Sequence, residues 1–179
     1  MKTSGFVLWL SGLMIAVLML AGCATTDGSG AGTGAPVFYV MRHLEKGTDG
    51  SDPSLSAEGA ANAVRAAAWF DGRAKPSAIY VSPTRRARET AAPLAAKLGL
   101  TPIEYDPRDT PGLIARVRAE GGSVLVVGHS NTVPDIVAAL GGARPEALAD
   151  SDYGSIWTVA RGGGATGRFE LRSGANTAR

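Results

Sequence analysis

The chain has 179 residues, of which 18 are Lys or Arg and 16 are Asp or Glu, giving a formal net charge of +2. A charge this close to zero argues against a broadly basic surface, and we expect no nucleic acid among the partners. The single cysteine, Cys23, excludes a disulfide within the chain and a metal site built from several cysteines.

The N-terminal segment has the pattern of an export signal. Lys2 is followed by an uncharged apolar stretch over 6–20. The sequence Leu-Ala-Gly-Cys at 20–23 resembles a bacterial lipobox, in which cleavage leaves a lipid-carrying cysteine as the new N-terminus. We predict a signal peptide over 1–22, lipid on Cys23 and a periplasmic location on a bacterial membrane. A transmembrane anchor is the alternative, because the stretch is nearly long enough to span a bilayer.

A spacer and one domain follow the cysteine. The spacer, up to residue 35, contains only Gly, Ala, Thr and Ser with one Asp, so it cannot bury a core and is predicted to be flexible. The domain is predicted over 36–179, which is long enough for one buried core.

Strand and helix patterns alternate along this domain. In chain order we predict a strand at 37–41, a helix at 56–70, a strand at 77–81, a helix at 84–98, a strand at 102–105, a helix at 110–119, a strand at 123–127, a helix at 132–140 and strands at 156–159 and 168–171. Ser56 and Thr84 are predicted helix caps, and Pro93 is expected to kink or break the second helix. The alternation favours a mainly parallel α/β sheet, with an antiparallel pair at its end.

Polar residues follow three of these strands. Arg42-His43 follows the first, and Gly128-His129 follows the strand at 123–127. The segment 82–91 follows the second and reads Ser-Pro-Thr-Arg-Arg-Ala-Arg-Glu-Thr-Ala. Because ligands bind beyond the carboxyl ends of parallel strands, the two histidines of the chain are predicted to meet in one crevice. Arginine forks beside an imidazole suit a phosphoryl group.

These three blocks resemble the histidine phosphatase superfamily, also called the phosphoglycerate mutase-like family, in their order and context. That family carries Arg-His after its first strand, Ser-Pro-x-x-Arg-Ala-x-x-Thr-Ala after its second, and Gly-His after a later strand. The resemblance covers essentially all of 36–171. It implies a three-layer α/β/α sandwich and a phosphomonoesterase that needs no cofactor and no metal. The implied partner is a phosphorylated small molecule or a phosphate ester of the cell envelope.

The resemblance also implies a role for each motif residue. His43 becomes the nucleophile that carries the phosphoryl group, while Arg42 and Arg86 hold the phosphoryl oxygens. Arg86 matches the family arginine, rather than Arg85, because it directly precedes an alanine. His129 completes the pocket and is expected to be protonated. Arg85, Arg88 and Arg108 are expected to lie on the surface or at the substrate rim.

The source of the proton for the leaving group stays open at this stage. Asp106 and Asp109 lie in the region where the family often supplies a carboxylate, and Glu45 and Asp135 are weaker candidates. Glu45 and Lys46 lie on the loop beside His43, where a local salt bridge or a contact with a helix is an alternative to a catalytic role.

Rival functions also stay open. A phosphohistidine protein phosphatase, a mutase and a non-catalytic phosphate- or phospho-sugar-binding lipoprotein all fit parts of the pattern. Hydrolysis is favoured over mutation because the mutases of the family usually carry extra segments that close over a bisphosphate, and none is evident in this sequence. The connection 99–123 is short, which predicts a small lid and an open site suited to a bulky substrate. Serine hydrolysis through Ser82 or Ser130 is disfavoured, because 128–132 does not form a Gly-x-Ser-x-Gly elbow.

Overall fold

A computed structural model describes residues 35–171, which form a six-stranded sheet and four helices. The strands are β1 (Val37–Arg42), β2 (Pro76–Val81), β3 (Ile103–Glu104), β4 (Ser123–Gly128), β5 (Ser155–Ala160) and β6 (Thr166–Glu170). The helices are α1 (Ala57–Trp69), α2 (Arg85–Leu98), α3 (Thr110–Ala119) and α4 (Val133–Ala139). The predicted signal peptide, the lipid on Cys23 and nearly all of the spacer lie outside the described residues.

The strand order in the sheet is β3-β2-β4-β1-β5-β6. The first four strands of this order are parallel to their neighbours, whereas β5 runs antiparallel to β1 and β6 runs antiparallel to β5. The predicted mainly parallel sheet with a terminal antiparallel pair is therefore confirmed. This order also puts the carboxyl ends of β1, β2 and β4 side by side.

Two apolar layers cover the two faces of the sheet, because alternate residues of each buried strand point to opposite faces. In β1, Phe38 and Val40 belong to the core beneath α3 and α4. Tyr39 and Met41 belong to the core beneath α1 and α2. The predicted three-layer α/β/α sandwich is thus confirmed.

The helix boundaries follow local capping chemistry. Ser56 caps α1 by accepting a hydrogen bond from Gly59 N–H at 3.1 Å, as predicted. Gly99 ends α2 with a positive φ of 66°, a conformation that costs glycine little. The expected break at Pro93 is wrong, since α2 continues to Leu98. Its buried face, which includes Leu94, holds the helix against α1 and the sheet across the hydrogen bond that proline cannot donate.

Two further sequence predictions need correction. Thr84 precedes α2, but its side chain makes no capping hydrogen bond. The last strand lies at Thr166–Glu170 rather than 168–171, because it is a mostly exposed edge strand whose pairing with β5, rather than an apolar pattern, sets its ends. Over 35–171, no helix is long and apolar enough to cross a membrane.

Candidate active site

A cleft of about 340 Å³ opens at the carboxyl ends of β1, β2 and β4. The four residues singled out from the motifs all line it: Arg42, His43, Arg86 and His129. The rings of His43 and His129 lie 5.3 Å apart between centroids, so the two imidazoles do meet in one crevice.

His43 is held with one ring nitrogen free. Its side chain is 3% exposed, and Nδ1 lies 2.8 Å from the backbone carbonyl of Leu44. A carbonyl oxygen only accepts hydrogen bonds, so Nδ1 must carry the proton and Nε2 keeps its lone pair in the neutral ring. Burial lowers the pKa of His43 to about 3, and the positive charges of Arg86 and Arg42 act in the same direction. At neutral pH His43 is therefore an uncharged imidazole with a free Nε2.

Arg42 is fixed by the loop that precedes β5. Its Nη1 donates to the carbonyls of Ala149 at 2.7 Å and Asp152 at 3.1 Å, and its Nη2 donates to the Tyr153 hydroxyl at 3.3 Å. The guanidinium also lies over the Tyr153 ring, 4.1 Å from its centroid. Carbonyl and aromatic partners hold this arginine in place without neutralising it, so its charge stays available to an anion in the cleft.

Arg86 is oriented by a carboxylate that the sequence interpretation missed. Asp52 Oδ1 lies 3.3 Å from Arg86 Nη1, and both Asp52 oxygens lie 3.1 Å from the backbone N–H of Arg85. Asp52 thus takes over the capping of α2 that was predicted for Thr84. The available signal was weak: an aspartate in an aperiodic loop, 34 residues before the arginine that it contacts.

Thr90, the threonine of the second motif, ties the two halves of the site together. Its hydroxyl donates to the carbonyl of Arg86 at 2.7 Å and accepts the backbone N–H of Leu44 at 3.0 Å. Thr90 is buried, so both bonds are shielded from water. The segment after His43 is therefore fastened to the helix turn that carries Arg86.

His129 is held by two hydroxyl groups. Its Nε2 lies 2.8 Å from Ser82 Oγ, and its backbone N–H donates to Thr132 Oγ1 at 3.0 Å. Burial lowers the pKa of His129 to about 4, with Arg86 and Arg42 adding to the effect. With the charges that the protein itself supplies, His129 is therefore uncharged at neutral pH, and the expected protonated ring that donates to phosphoryl oxygens stays a prediction. A phosphoryl dianion would favour the protonated ring.

The contact between Ser82 and His129 resembles a serine–histidine pair, but it does not support serine hydrolysis. The Ser82 side chain is 0% exposed, so its oxygen has no access to a substrate. Ser130 lines the cleft without a hydrogen bond to a histidine among the described residues. The role of Ser82 is to orient His129.

The rim of the cleft adds positive charge. Lys46 and Arg108 line the cleft together with Arg42 and Arg86, whereas Asp150 is the acidic side chain among the lining residues. Asp150 is fully exposed and lies 3.9 Å from Arg42, so water screens its charge. The cleft is therefore complementary to an anion.

Neither of the two main candidates for proton donor lines the cleft. Asp106 accepts two hydrogen bonds from the Arg108 side chain, which lower the pKa of its carboxyl to about 2. Such a carboxyl is ionised at neutral pH and has no proton to give. Asp109 caps α3 by accepting the backbone N–H of Gly112 at 2.9 Å.

The two weaker candidates also have other partners. Glu45 accepts a hydrogen bond from Asn62 Nδ2 at 2.9 Å, and Asp135 pairs with Arg144. Neither is among the residues that line the cleft. Within 35–171, no group of three or more His, Cys, Asp or Glu side chains is arranged to hold a metal ion.

Comparison with solved structures identifies proteins that share this fold. The chain is 24% identical to the protein histidine phosphatase SixA, solved with tungstate, over 75% of this chain and 96% of that one, with a TM-score of 0.61. It is 19% identical to a mycobacterial glucosyl-3-phosphoglycerate phosphatase over 69% of this chain and 89% of that one, with a TM-score of 0.55. At these identities the likeness establishes the fold. No curated protein matches the sequence significantly.

A family model connects the fold to the motifs. Residues 39–108 match the model of the histidine phosphatase superfamily, branch 1. The matched range begins in β1 and includes the Arg42-His43 pair, Arg86 and Thr90. This part of the chain therefore resembles the histidine phosphatase superfamily in sequence, and the fold of residues 35–171 agrees with that resemblance.

Proposed function

We propose that the chain is a phosphatase that transfers a phosphoryl group to Nε2 of His43 and then hydrolyses the phosphohistidine. The observation that carries this proposal is the state of His43, which is buried and neutral with Nδ1 committed to the Leu44 carbonyl. A neutral imidazole with a free lone pair is a nucleophile towards phosphorus. A protein that only binds phosphate or a phospho-sugar needs arginines but no such nucleophile, which argues against the non-catalytic alternative.

The two steps balance as follows. Nε2 of His43 forms a bond to phosphorus while the bond to the leaving group breaks, and the electron pair departs with the leaving atom. Water then attacks the phosphohistidine, the P–N bond breaks, and phosphate leaves with the proton from water retained by phosphate or released to solvent. Arg42, Arg86 and His129 donate to the phosphoryl oxygens as their charge develops. Neither step needs a metal ion, so we propose a metal-independent reaction.

The proposed substrate is a phosphate ester whose leaving group departs without help from an enzyme acid. None of the four candidate carboxylates lines the cleft, each of them has another hydrogen-bond or salt-bridge partner, and Asp106 is held ionised by Arg108. This favours a second candidate, the phosphoryl group of a phosphohistidine, because an imidazole leaving group can be protonated at its second nitrogen before it departs. The protein histidine phosphatase with the same fold supports that candidate.

The test is turnover of an aryl phosphate and of a phosphohistidine peptide by the full chain, with and without a chelator. We expect phosphate release that the chelator leaves unchanged and that His43→Asn abolishes. Arg86→Ala should lower kcat/KM by roughly 10²-fold, the cost of removing one preorganised donor. Its matched control is Arg85→Ala, because the adjacent side chain does not line the cleft. Binding of phosphate without turnover of either substrate would favour the non-catalytic alternative.

We further propose that lipid on Cys23 holds the domain on the periplasmic face of a bacterial membrane, where it acts on envelope phosphate esters. The proposal rests on the lipobox-like sequence at 20–23 and the spacer that follows it. Cells fed a labelled fatty acid should transfer the label to the wild-type chain but not to Cys23→Ser. Label on neither chain, with the wild type still at the membrane, would favour the transmembrane anchor.

A further inference from the structure

A second cavity, of about 380 Å³, lies at the opposite end of the sheet from the active-site cleft. Two arginines line it, Arg118 at the end of α3 and Arg161 directly after β5, together with Phe38 near the start of β1. Phe38 and Arg42 are four residues apart on an extended strand, which separates the two sites by at least ~13 Å. The second cavity is therefore not a part of the active-site cleft.

The polar atoms of this cavity share a feature with the active site. Three arginine Nε atoms in the described part of the chain are buried without a hydrogen-bond partner, those of Arg42, Arg86 and Arg161. Two of them belong to arginines that line the active-site cleft, Arg42 and Arg86. A buried N–H without an acceptor costs free energy, so Arg161 has the same need for an acceptor at the other end of the sheet.

The hydrogen-bond partners of the two arginines are backbone carbonyls rather than carboxylates. Arg118 Nη2 donates to the carbonyl of Ala139 at 2.8 Å, and Arg161 Nη2 donates to the carbonyl of Arg118 at 3.3 Å. The Arg161 guanidinium also lies 5.2 Å from the centre of the Phe38 ring. Within 35–171, neither arginine forms a salt bridge with a carboxylate. Two uncompensated guanidinium groups beside one cavity are complementary to phosphate oxygens.

Glycine turns keep the rim of the cavity low. Gly141 and Gly163 have positive φ values of 98° and 78°, and Gly164 N–H donates to the Gly141 carbonyl at 3.0 Å. A Cβ on Gly141 would lie 3.2 Å from the Gly163 Cα, so the two turns are in close contact. A Cβ on Gly162 would meet nothing within 4 Å, which indicates open space at that point of the rim. A phosphate group that is part of a larger molecule can therefore reach the cavity across this rim.

The position of the cavity relative to the predicted lipid anchor indicates that phosphate groups of the membrane surface are near it. Val37, where the sheet begins, pairs with Ala160, the residue before Arg161. Between the predicted lipid on Cys23 and this point lie only the 12-residue spacer, 24–35, and Pro36. If the spacer is flexible, as its composition predicts, a chain of this length has an end-to-end distance of about 19 Å. The membrane surface therefore lies within reach of the cavity whenever the chain is anchored.

We propose that Arg118 and Arg161 bind the phosphate of an anionic phospholipid headgroup and seat this end of the domain on the membrane. The active-site cleft, at the other end of the sheet, then faces away from the bilayer towards substrates in the periplasm. The choice of lipid rests on the proposed anchor at Cys23, whereas the site itself does not depend on phosphatase activity.

Hydrogen exchange of the full chain in vesicles tests this proposal. Vesicles of phosphatidylcholine alone are compared with vesicles that also contain phosphatidylglycerol, and the readout is exchange of the amides at 160–164, including those of Gly163 and Gly164. Phosphatidylglycerol is expected to slow this exchange by about tenfold, because a bound headgroup must leave before the turn opens. Equal exchange in the two kinds of vesicle would overturn the proposal.

Three variants distinguish a specific phosphate site at Arg161 from diffuse electrostatic attraction between the domain and an anionic membrane. Arg161→Ala and Arg161→Lys should both lose the protection, because lysine keeps the charge but lacks Nε and the planar fork. Lys75→Ala is the matched control, since Lys75 is an exposed cation at the same end of the sheet and does not line the cavity. Equal loss in Lys75→Ala would reduce the effect to diffuse attraction and contradict the proposal.

Two more measurements identify the source of the bound phosphate and check that Arg161→Ala folds correctly. Inorganic phosphate added to phosphatidylcholine vesicles should not protect 160–164. Equal protection by inorganic phosphate would assign the site to a soluble anion and overturn the choice of lipid. Aryl phosphate turnover by Arg161→Ala should equal that of the wild type, which checks folding. Failure of turnover in the wild type would contradict the proposed function and leave the lipid result to be judged separately.

Discussion

Replacing Asp52 by Asn tests whether this carboxylate positions Arg86 for the reaction. Asp52 has two tasks: it accepts the backbone N–H of Arg85 at the start of α2, and it contacts Arg86 Nη1 at 3.3 Å. Asparagine keeps an oxygen that can cap the helix but removes the charge that orients the guanidinium. The substitution therefore acts on the position of Arg86 more than on the stability of α2.

The expected magnitude follows from the exposure of the pair. The Arg86 side chain is 18% exposed and that of Asp52 is 41% exposed, so the ion pair is partly screened and contributes ~1 kcal/mol at most. If the ~1 kcal/mol by which Asp52 orients Arg86 is lost in the transition state, kcat decreases about fivefold. KM should stay equal or fall, because removing an anion near the cleft does not weaken the binding of a phosphate dianion. Asp52→Ala should additionally lower the free energy of unfolding by roughly 1 kcal/mol, because the cap is lost.

A double-mutant cycle with aryl phosphate as substrate measures this coupling. Asp52→Asn should lower kcat about fivefold in the wild type and leave it nearly unchanged in Arg86→Ala, because the residue that it positions is already absent. Urea unfolding of each variant separates the effect on the site from an effect on the fold. An equal decrease of kcat in both backgrounds would refute the positioning role.

Three further predictions concern acid stability, the glycine of α1 and the buried threonine. The pKa of His43 is about 3 in the folded protein and ordinarily 6.5, so the unfolded chain binds a proton more readily and the fold loses stability as pH falls below 6.5. The free energy of unfolding in urea should therefore decrease between pH 7 and pH 5, and this decrease should be roughly 2 kcal/mol smaller in His43→Asn. Equal decreases in the two proteins would contradict the low pKa. Gly59→Ala should strongly lower the melting temperature, because its Cβ would overlap the Glu45 carbonyl, whereas Gly47→Ala, which meets only an ordinary contact, should not. Thr90→Val should lower the free energy of unfolding by about 1–3 kcal/mol, since it leaves a buried backbone N–H without an acceptor; a variant as stable as the wild type would contradict the bridge that we describe.

The parts of the fold that the sequence predicts well are those set by local chemistry. The helix at Thr110–Ala119 has the predicted bounds, and the buried strands lie within a residue or two of their predicted positions. The edge strand at Thr166–Glu170 was misplaced because its exposed residues carry no apolar pattern, and its ends depend on pairing with β5. Pro93 was expected to interrupt α2, but tertiary packing on both sides of it outweighs the missing hydrogen bond.

The candidate site, too, could be predicted from the sequence only in part. Arg42, His43, Arg86 and His129 could be singled out because motifs after strands carry them to one end of the sheet. The contacts that tune them could not, because backbone carbonyls hold Arg42 and carbonyls have no signature in the sequence. The neutral state of His129 likewise depends on burial and on two arginines brought close by the fold.

The most direct test of the proposed function is to trap the phosphoryl group on the enzyme. The full chain is mixed briefly with a labelled aryl phosphate, quenched in alkali and digested, and the modified residue is identified by mass spectrometry. We predict a labelled phosphoryl group on His43 that is acid-labile and alkali-stable. The label should disappear from His43 when excess unlabelled substrate is added before the quench. A phosphoryl group on another residue, or steady turnover without any phosphorylated histidine, would contradict the proposal that His43 is the nucleophile.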